Sequence, residues 1–160
     1  MLRRRGLSIA LFTVVLASSV TASGAEPHKL IGTWMVDLSR VDQPNPPKSV
    51  TLTLVAADAG AYKMTVDIEA PDGQVMHAEA ESALKPDGTA VRVKGSQDVD
   101  VVTFSMPNSR TLVMGGGFQG HPSSSRVWTL ADDGKEMIEI AIRHLPDGTP
   151  YLRKFYWKRK

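Results

Sequence analysis

The chain is 160 residues long, holds no cysteine, and carries 19 Lys and Arg against 17 Asp and Glu. Without cysteine there is no disulfide framework, no thiolate metal site and no lipid-modified cysteine, so an exported form must be stable through its core alone. The formal charge of +2 overstates the basic character of the folded part, because Arg3, Arg4 and Arg5 stand at the very start.

Those arginines precede a mostly apolar run from Leu7 to Val20, and Ser23-Gly24-Ala25 follows with small residues where a signal peptidase reads. Basic, apolar, then small is the order of a secretory signal peptide, and the apolar part is short for a membrane anchor. The expected division is a signal peptide at 1–25 and one domain at 26–160, periplasmic or secreted after cleavage near Ala25. Removing residues 1–25 takes away three Arg and no acid, leaving 16 basic residues against 17 acidic ones, a net of −1. Nucleic-acid binding thereby loses its compositional support. No later apolar run is long enough to cross a membrane, so no transmembrane segment is expected after signal cleavage.

After a short lead-in, Leu30 to Leu38 reads as a first strand with Trp34 as its largest inward side chain. Gln43-Pro44-Asn45-Pro46-Pro47 excludes helix and central strand, since proline lacks an amide hydrogen and extends the residue before it. It reads as a surface link at an edge or rim. From Ser49 the period is two: Val50, Leu52 and Leu54 alternate with Thr51 and Thr53, then Tyr62, Met64, Val66 and Ile68 with Lys63, Thr65, Asp67 and Glu69. Such alternation marks an antiparallel sheet with one buried and one wet face. Met76, Ala78 and Ala80 share a face opposite His77 and Glu79. Val91 and Val93 oppose Arg92 and Lys94. By the same rule Ile138, Ile140 and Ile142 point inward, opposite Glu139 and Arg143, and Phe155 and Trp157 oppose Lys154 and Lys158.

Pro71-Asp72-Gly73, Pro86-Asp87-Gly88 and Pro146-Asp147-Gly148 repeat one turn formula, with Asp58-Ala59-Gly60 and Asp132-Asp133-Gly134 as variants. Proline presets the first turn dihedral and glycine takes the positive φ. Short strands joined this way, with no helical periodicity outside the leader, predict an all-β up-and-down meander of about 8–10 strands. Closing it into a single antiparallel barrel removes the exposed edges.

The run Gly32-Thr33-Trp34-Met35-Val36-Asp37-Leu38-Ser39-Arg40, followed by Pro44 to Pro47 and Ser49-Val50-Thr51, resembles small secreted bacterial lipocalin-like proteins. Their mature chains open with a Gly-Thr-Trp strand, pass through a proline-rich link and continue as Asp-Gly hairpins. The resemblance implies a calycin-type barrel with an internal cavity. In true lipocalins Gly-x-Trp sits near the closed end, with a basic residue of the last strands packed over the tryptophan; Arg153 is the nearest candidate. The Thr-Asp-Tyr-like triplet of true lipocalins is absent from this chain.

The structural candidates are Trp34 as barrel plug, Arg153 over it, and Trp157 on a last strand that closes against the first. The ligand-binding candidates are Tyr62, Met64 and Ile140 on the inward faces, with His144 on the parity of the isoleucines. Phe118, His121 and Arg126 join them from the glycine-rich stretch Gly115 to Arg126. That stretch reads as a flexible loop at the barrel mouth; no helix pattern follows it, which excludes a nucleotide-binding loop. His28, His77, His121 and His144 are too scattered for a metal motif. Glu79 with Glu81, and Asp98 with Asp100, read as a solvated outer face. No catalytic constellation, cofactor or metal is expected. The function expected is binding of a small apolar or amphipathic ligand. The alternatives are a cavity enzyme of isomerase or cyclase type, using inward His144 or Tyr62, and a structural or interaction protein of the envelope. The interaction reading could use a strand edge beside the proline-rich link, or a filled barrel. Lys158-Arg159-Lys160 is left free to touch anionic lipid. Oligomeric state has no signature here.

Overall fold

The computed structural model describes residues 28–144 and 147–160. The signal-peptide expectation for 1–25 lies outside the described residues. Ten strands follow one another: β1 (Gly32–Val36), β2 (Ser49–Ala56), β3 (Tyr62–Glu69), β4 (Val75–Ala80), β5 (Val91–Lys94), β6 (Val101–Asn108), β7 (Thr111–Phe118), β8 (His121–Leu130), β9 (Glu136–His144) and β10 (Pro150–Arg159). Each pairs antiparallel with the next, and β1 also pairs with β10, so the sheet is a closed up-and-down barrel. The all-β meander expected from the alternation is what forms, and it is consistent with a lipocalin-like fold.

The period of two sets the faces. Leu52 and Leu54 point in while Thr51 and Thr53 point out, where Thr53 Oγ1 meets Thr33 Oγ1 of β1 at 3.3 Å. On β2 the apolar side chains thus face in and the threonines out, the reverse of a strand that faces lipid. No helix among the described residues is long and apolar enough to cross a membrane. The turns behave as their aspartates require. Asp72, Asp87, Asp133 and Asp147 each accept, through Oδ1, the backbone N–H two residues on, at 2.8–3.0 Å. This local bond mimics a backbone turn and fixes the hairpin.

One end of the barrel is sealed by Trp34, which is fully buried. Its indole Nε1 donates to Leu30 O at 2.9 Å, and the Arg159 guanidinium lies 4.2 Å from the ring centroid. Arg159 also donates from Nη1 to Ile31 O and from Nη2 to Lys29 O, both at 2.8 Å. The basic residue over the plug is therefore Arg159, not Arg153. The two share a face of β10, but six residues of strand separate them by about 20 Å, and the β1–β10 register sets Trp34 against Arg159. Gly32 has φ 140°, and a Cβ there would come within 2.6 Å of Arg159 Nη1. The glycine is required both by its backbone and by the arginine that covers the next-but-one residue.

Around the plug lie Leu30, Leu54, Leu84, Phe104, Leu112 and Met137, all nearly fully buried. The lead-in belongs to this seal: Lys29 N–H donates to Ser109 O at 2.8 Å and His28 Nε2 meets Asn108 O at 2.7 Å. The basic C-terminus is likewise engaged. Lys158 Nζ stands 2.9 Å from Asp37 Oδ2, and with the Ser39 hydroxyl it holds the Asp37 carboxyl at about 2. Of the cluster left free for lipid, Lys158 and Arg159 are thus spent on closing the barrel.

The inward face of β9 is the opposite of the one expected. Met137, Glu139 and Ala141 are buried, and Ile138, Ile140 and Ile142 lie on the outside with His144. The partners decide it. Met137 is paired with buried Leu130 and Trp157, and a one-residue slip would turn both flanking strands inside out.

Replacing Trp34→Ala removes the plug and leaves Arg159 without its ring, at an expected cost of about 3–5 kcal/mol in urea unfolding. A loss below about 1 kcal/mol would show that the end closes without it.

Candidate functional site

Above the sealed end the barrel holds a void of about 450 Å³. Its far wall is aliphatic, built from the alternating residues of β2 to β5: Val50, Met64, Val66, Met76, Ala78 and Val93. Small Ala78 and Ala80 beside longer neighbours leave the space open. The rim is formed by Val41, Gln43, Asn45 and Pro47 of the proline-rich link, by Pro71, and by Ser96, Asp98 and Val99 between β5 and β6.

The near wall, on β8, β9 and β10, changes character from the plug to the mouth. Cross-strand pairing arranges its inward residues in rows about 7 Å apart. Leu130, Met137 and Trp157 come first, then Trp128, Glu139 and Phe155, then Arg126, Ala141 and Arg153, and at the rim Ser124, Arg143 and Tyr151. The apolar floor thus grades into an arginine-lined mouth.

Glu139 is the most buried charged group of this wall, with no solvent exposure. Arg126 Nη1 donates to its Oε1 at 2.7 Å and Trp157 Nε1 to its Oε2 at 2.9 Å. The Trp128 indole N–H also lowers the carboxyl's pKa, without reaching hydrogen-bond geometry. Desolvation outweighs these partners and pushes the Glu139 pKa up from the ordinary carboxylate range. Both carboxylate oxygens are taken, so the group is a fixed element of the wall. Further out, Arg143 Nη2 is held by Asp98 Oδ2 at 2.6 Å.

Of the ligand-binding candidates, Met64 and Arg126 line this cavity. Tyr62 sits lower, with its ring 5.9 Å from Phe104 and 6.4 Å from His28, as part of the packing beneath the void. Ile140 is on the outer face and His144 is exposed on that same side. Phe118 and His121 pair across a turn of only two residues, Gln119 and Gly120, and neither lines the void. The glycine-rich stretch is strand rather than loop: Gly115, Gly116 and Gly117 belong to β7. Their missing side chains admit close neighbours, since a Cβ on Gly116 would come within 2.7 Å of Ser124 Oγ. Arg153, expected at the plug, lines the cavity mouth instead.

The strand alternation and the paired aspartates predict Glu139, Arg143 and Asp98 on the outer face, whereas all three line the cavity. The signal for Glu139 lies in β8 and β10, where Trp157 and Arg126 occupy the inward rows on either side of its own. Asp100 Oδ2 accepts from Gln119 N–H at 2.8 Å, and Glu79 pairs with Lys94 at 3.0 Å. Among the described residues no three His, Cys, Asp or Glu side chains converge to hold a metal. Comparison with protein-family models, curated proteins and solved structures finds no match.

The raised pKa of Glu139 has a sign that can be tested. A carboxyl whose folded pKa exceeds its unfolded value contributes stability at acid pH, and that contribution is lost as pH rises through the folded pKa. The Tm of the native chain minus that of Glu139→Gln should therefore fall as pH rises above the ordinary carboxylate range. A difference that grows with pH would mean that the Arg126 pairing outweighs desolvation.

Proposed function

We propose that this chain is an exported, lipocalin-like barrel that binds a small apolar or amphipathic molecule in its interior. The observation that carries the reading is the void of about 450 Å³, aliphatic on one wall and opening through a polar rim at the end opposite Trp34. Its size lies within the roughly 300–1,000 Å³ of small-molecule pockets, and a few polar groups among apolar ones is their usual composition. Export is supported by Arg3 to Arg5, the apolar run Leu7 to Val20 and the small residues before Glu26.

The void weighs against a structural barrel with a filled interior. The enzyme alternative needed an inward polar group; of its two candidates, His144 is exposed on the outer face and Tyr62 is packed against Phe104 and His28 beneath the void. Glu139 faces inward but has both oxygens occupied, which favours binding over proton transfer.

Two of the three tryptophans, Trp128 and Trp157, line the void, so intrinsic fluorescence reports on its occupant. The probe phenylnaphthylamine should quench that emission on binding. Ala78→Phe, which plugs the void from the aliphatic wall, should weaken binding at least about tenfold, a change of about 1.4 kcal/mol. Ile140→Ala, on the outer face, should leave it unchanged. Equal effects from the two substitutions would place the probe on the surface and end the cavity reading.

A further inference from the structure

The barrel wall is incomplete at one place. β1 ends at Val36, opposite Trp157, with one further backbone bond from Asp37 N–H to Tyr156 O at 2.7 Å. Residues 150–155 of β10 therefore outrun β1. The chain that continues from β1 turns through a 3₁₀ segment, Leu38–Arg40, and no backbone hydrogen bond joins residues 38–48 to 150–155 among the described residues. A second void of about 230 Å³ occupies this gap. Val41, Gln43, Arg153 and Phe155 line both it and the main cavity, so the gap is a side opening into the interior.

The charges at that opening are unbalanced. Arg40, Arg153 and Lys154 line it, with Asp42 as its one acid. The other arginines of the near wall are neutralised, Arg126 by Glu139 and Arg143 by Asp98. Arg153 has no carboxylate within 4.0 Å among the described residues, and its guanidinium faces only the Tyr151 ring at 5.9 Å. Lys154 and Arg40 both approach the Tyr156 ring, at 4.9 and 3.1 Å, and together they hold its phenol below the ordinary tyrosine range. Arg40 has a distant acid, Glu136, at 3.9 Å.

We propose that the ligand is an amphiphile with an anionic oxyacid head, carboxylate or phosphate, and that Arg153 binds that head in the side opening between β10 and the β1–β2 link, with Arg40 and Lys154 adding to the field. This rests on the cavity being a ligand site and goes further by naming the class of ligand. A planar guanidinium matches a carboxylate or phosphate through two parallel bonds. A free anion would leave the aliphatic void empty, whereas a neutral apolar molecule would cover Arg153 and strip its water without giving it a partner. An anionic head joined to an apolar body satisfies both walls at once, because Phe155 and Val41 continue from the opening into the cavity.

The test measures binding of dodecanoate, dodecyl phosphate and dodecanol to the full chain by tryptophan emission. At least one anion should bind about tenfold or more tightly than dodecanol, and the preference should shrink as salt is raised, since the opening is solvated. Arg153→Gln should erase the preference while leaving dodecanol affinity within about twofold, and Arg153→Glu should reverse it in favour of dodecyltrimethylammonium. Arg153 is exposed, so both variants should melt like the native chain. Equal binding of anion and alcohol, or a preference that survives in Arg153→Glu, overturns the head-group assignment and leaves the cavity reading standing. Absence of binding by all three overturns both.

Discussion

The barrel depends on a contact between residues at the two ends of the chain. Arg159 lies over Trp34 and donates to the carbonyls of Lys29 and Ile31, which joins the last strand, the first strand and the lead-in at one point. Each neighbour is constrained by it. Gly32 must lack a side chain, Trp34 must be large and must present its N–H to Leu30, and β10 must run to Arg159 before it can seal. A cation over a buried indole adds to the burial of the ring itself. The seal is thus an anchored end, and the open space is left at the other.

The interior polar groups follow from the same register. With Trp157 inward beside Met137, the next inward positions of β9 are Glu139 and Ala141, and β8 brings Arg126 within reach of the carboxylate. A buried ion pair is a poor source of net stability, because desolvation costs more than the pairing returns unless every atom is satisfied. Here Arg126 and Trp157 occupy both oxygens, and Arg126 remains partly open to the void. The wall is therefore polar without being loose, and it divides an aliphatic side from a cationic side.

Most of the architecture was legible in the sequence because it rests on local physics. The alternation of β2 and β3 and the Asp-Gly turns need no knowledge of distant residues. What was misread depended on partners far away. Three isoleucines at alternate positions read as a buried face, yet β9 is oriented by Trp157 and Leu130, and its isoleucines lie outside. Arg153 and Arg159 have equal parity, and only the offset between β1 and β10 says which reaches Trp34. The triple glycine reads as a mobile loop, whereas close contact with Thr103 and Ser124 makes it strand. The side opening had no local signature at all, since it arises from β1 being half the length of β10.

The hydrogen bond from Arg159 to Lys29 spans 130 positions of sequence. Order of synthesis therefore matters to this molecule. A growing chain can pair its first nine strands as neighbours, yet the ring has no final stave until β10 is made and Trp34 has no cover until Arg159 arrives. Closing so long a loop is the entropically dearest step of the fold. Until then the chain is an open sheet with two unpaired borders, the form most prone to join its own copies. Without Arg159 the β1–β10 pairs of Met35 with Lys158 and Val36 with Trp157 would remain, but the plug would lose its cover and the lead-in its tie to the last strand.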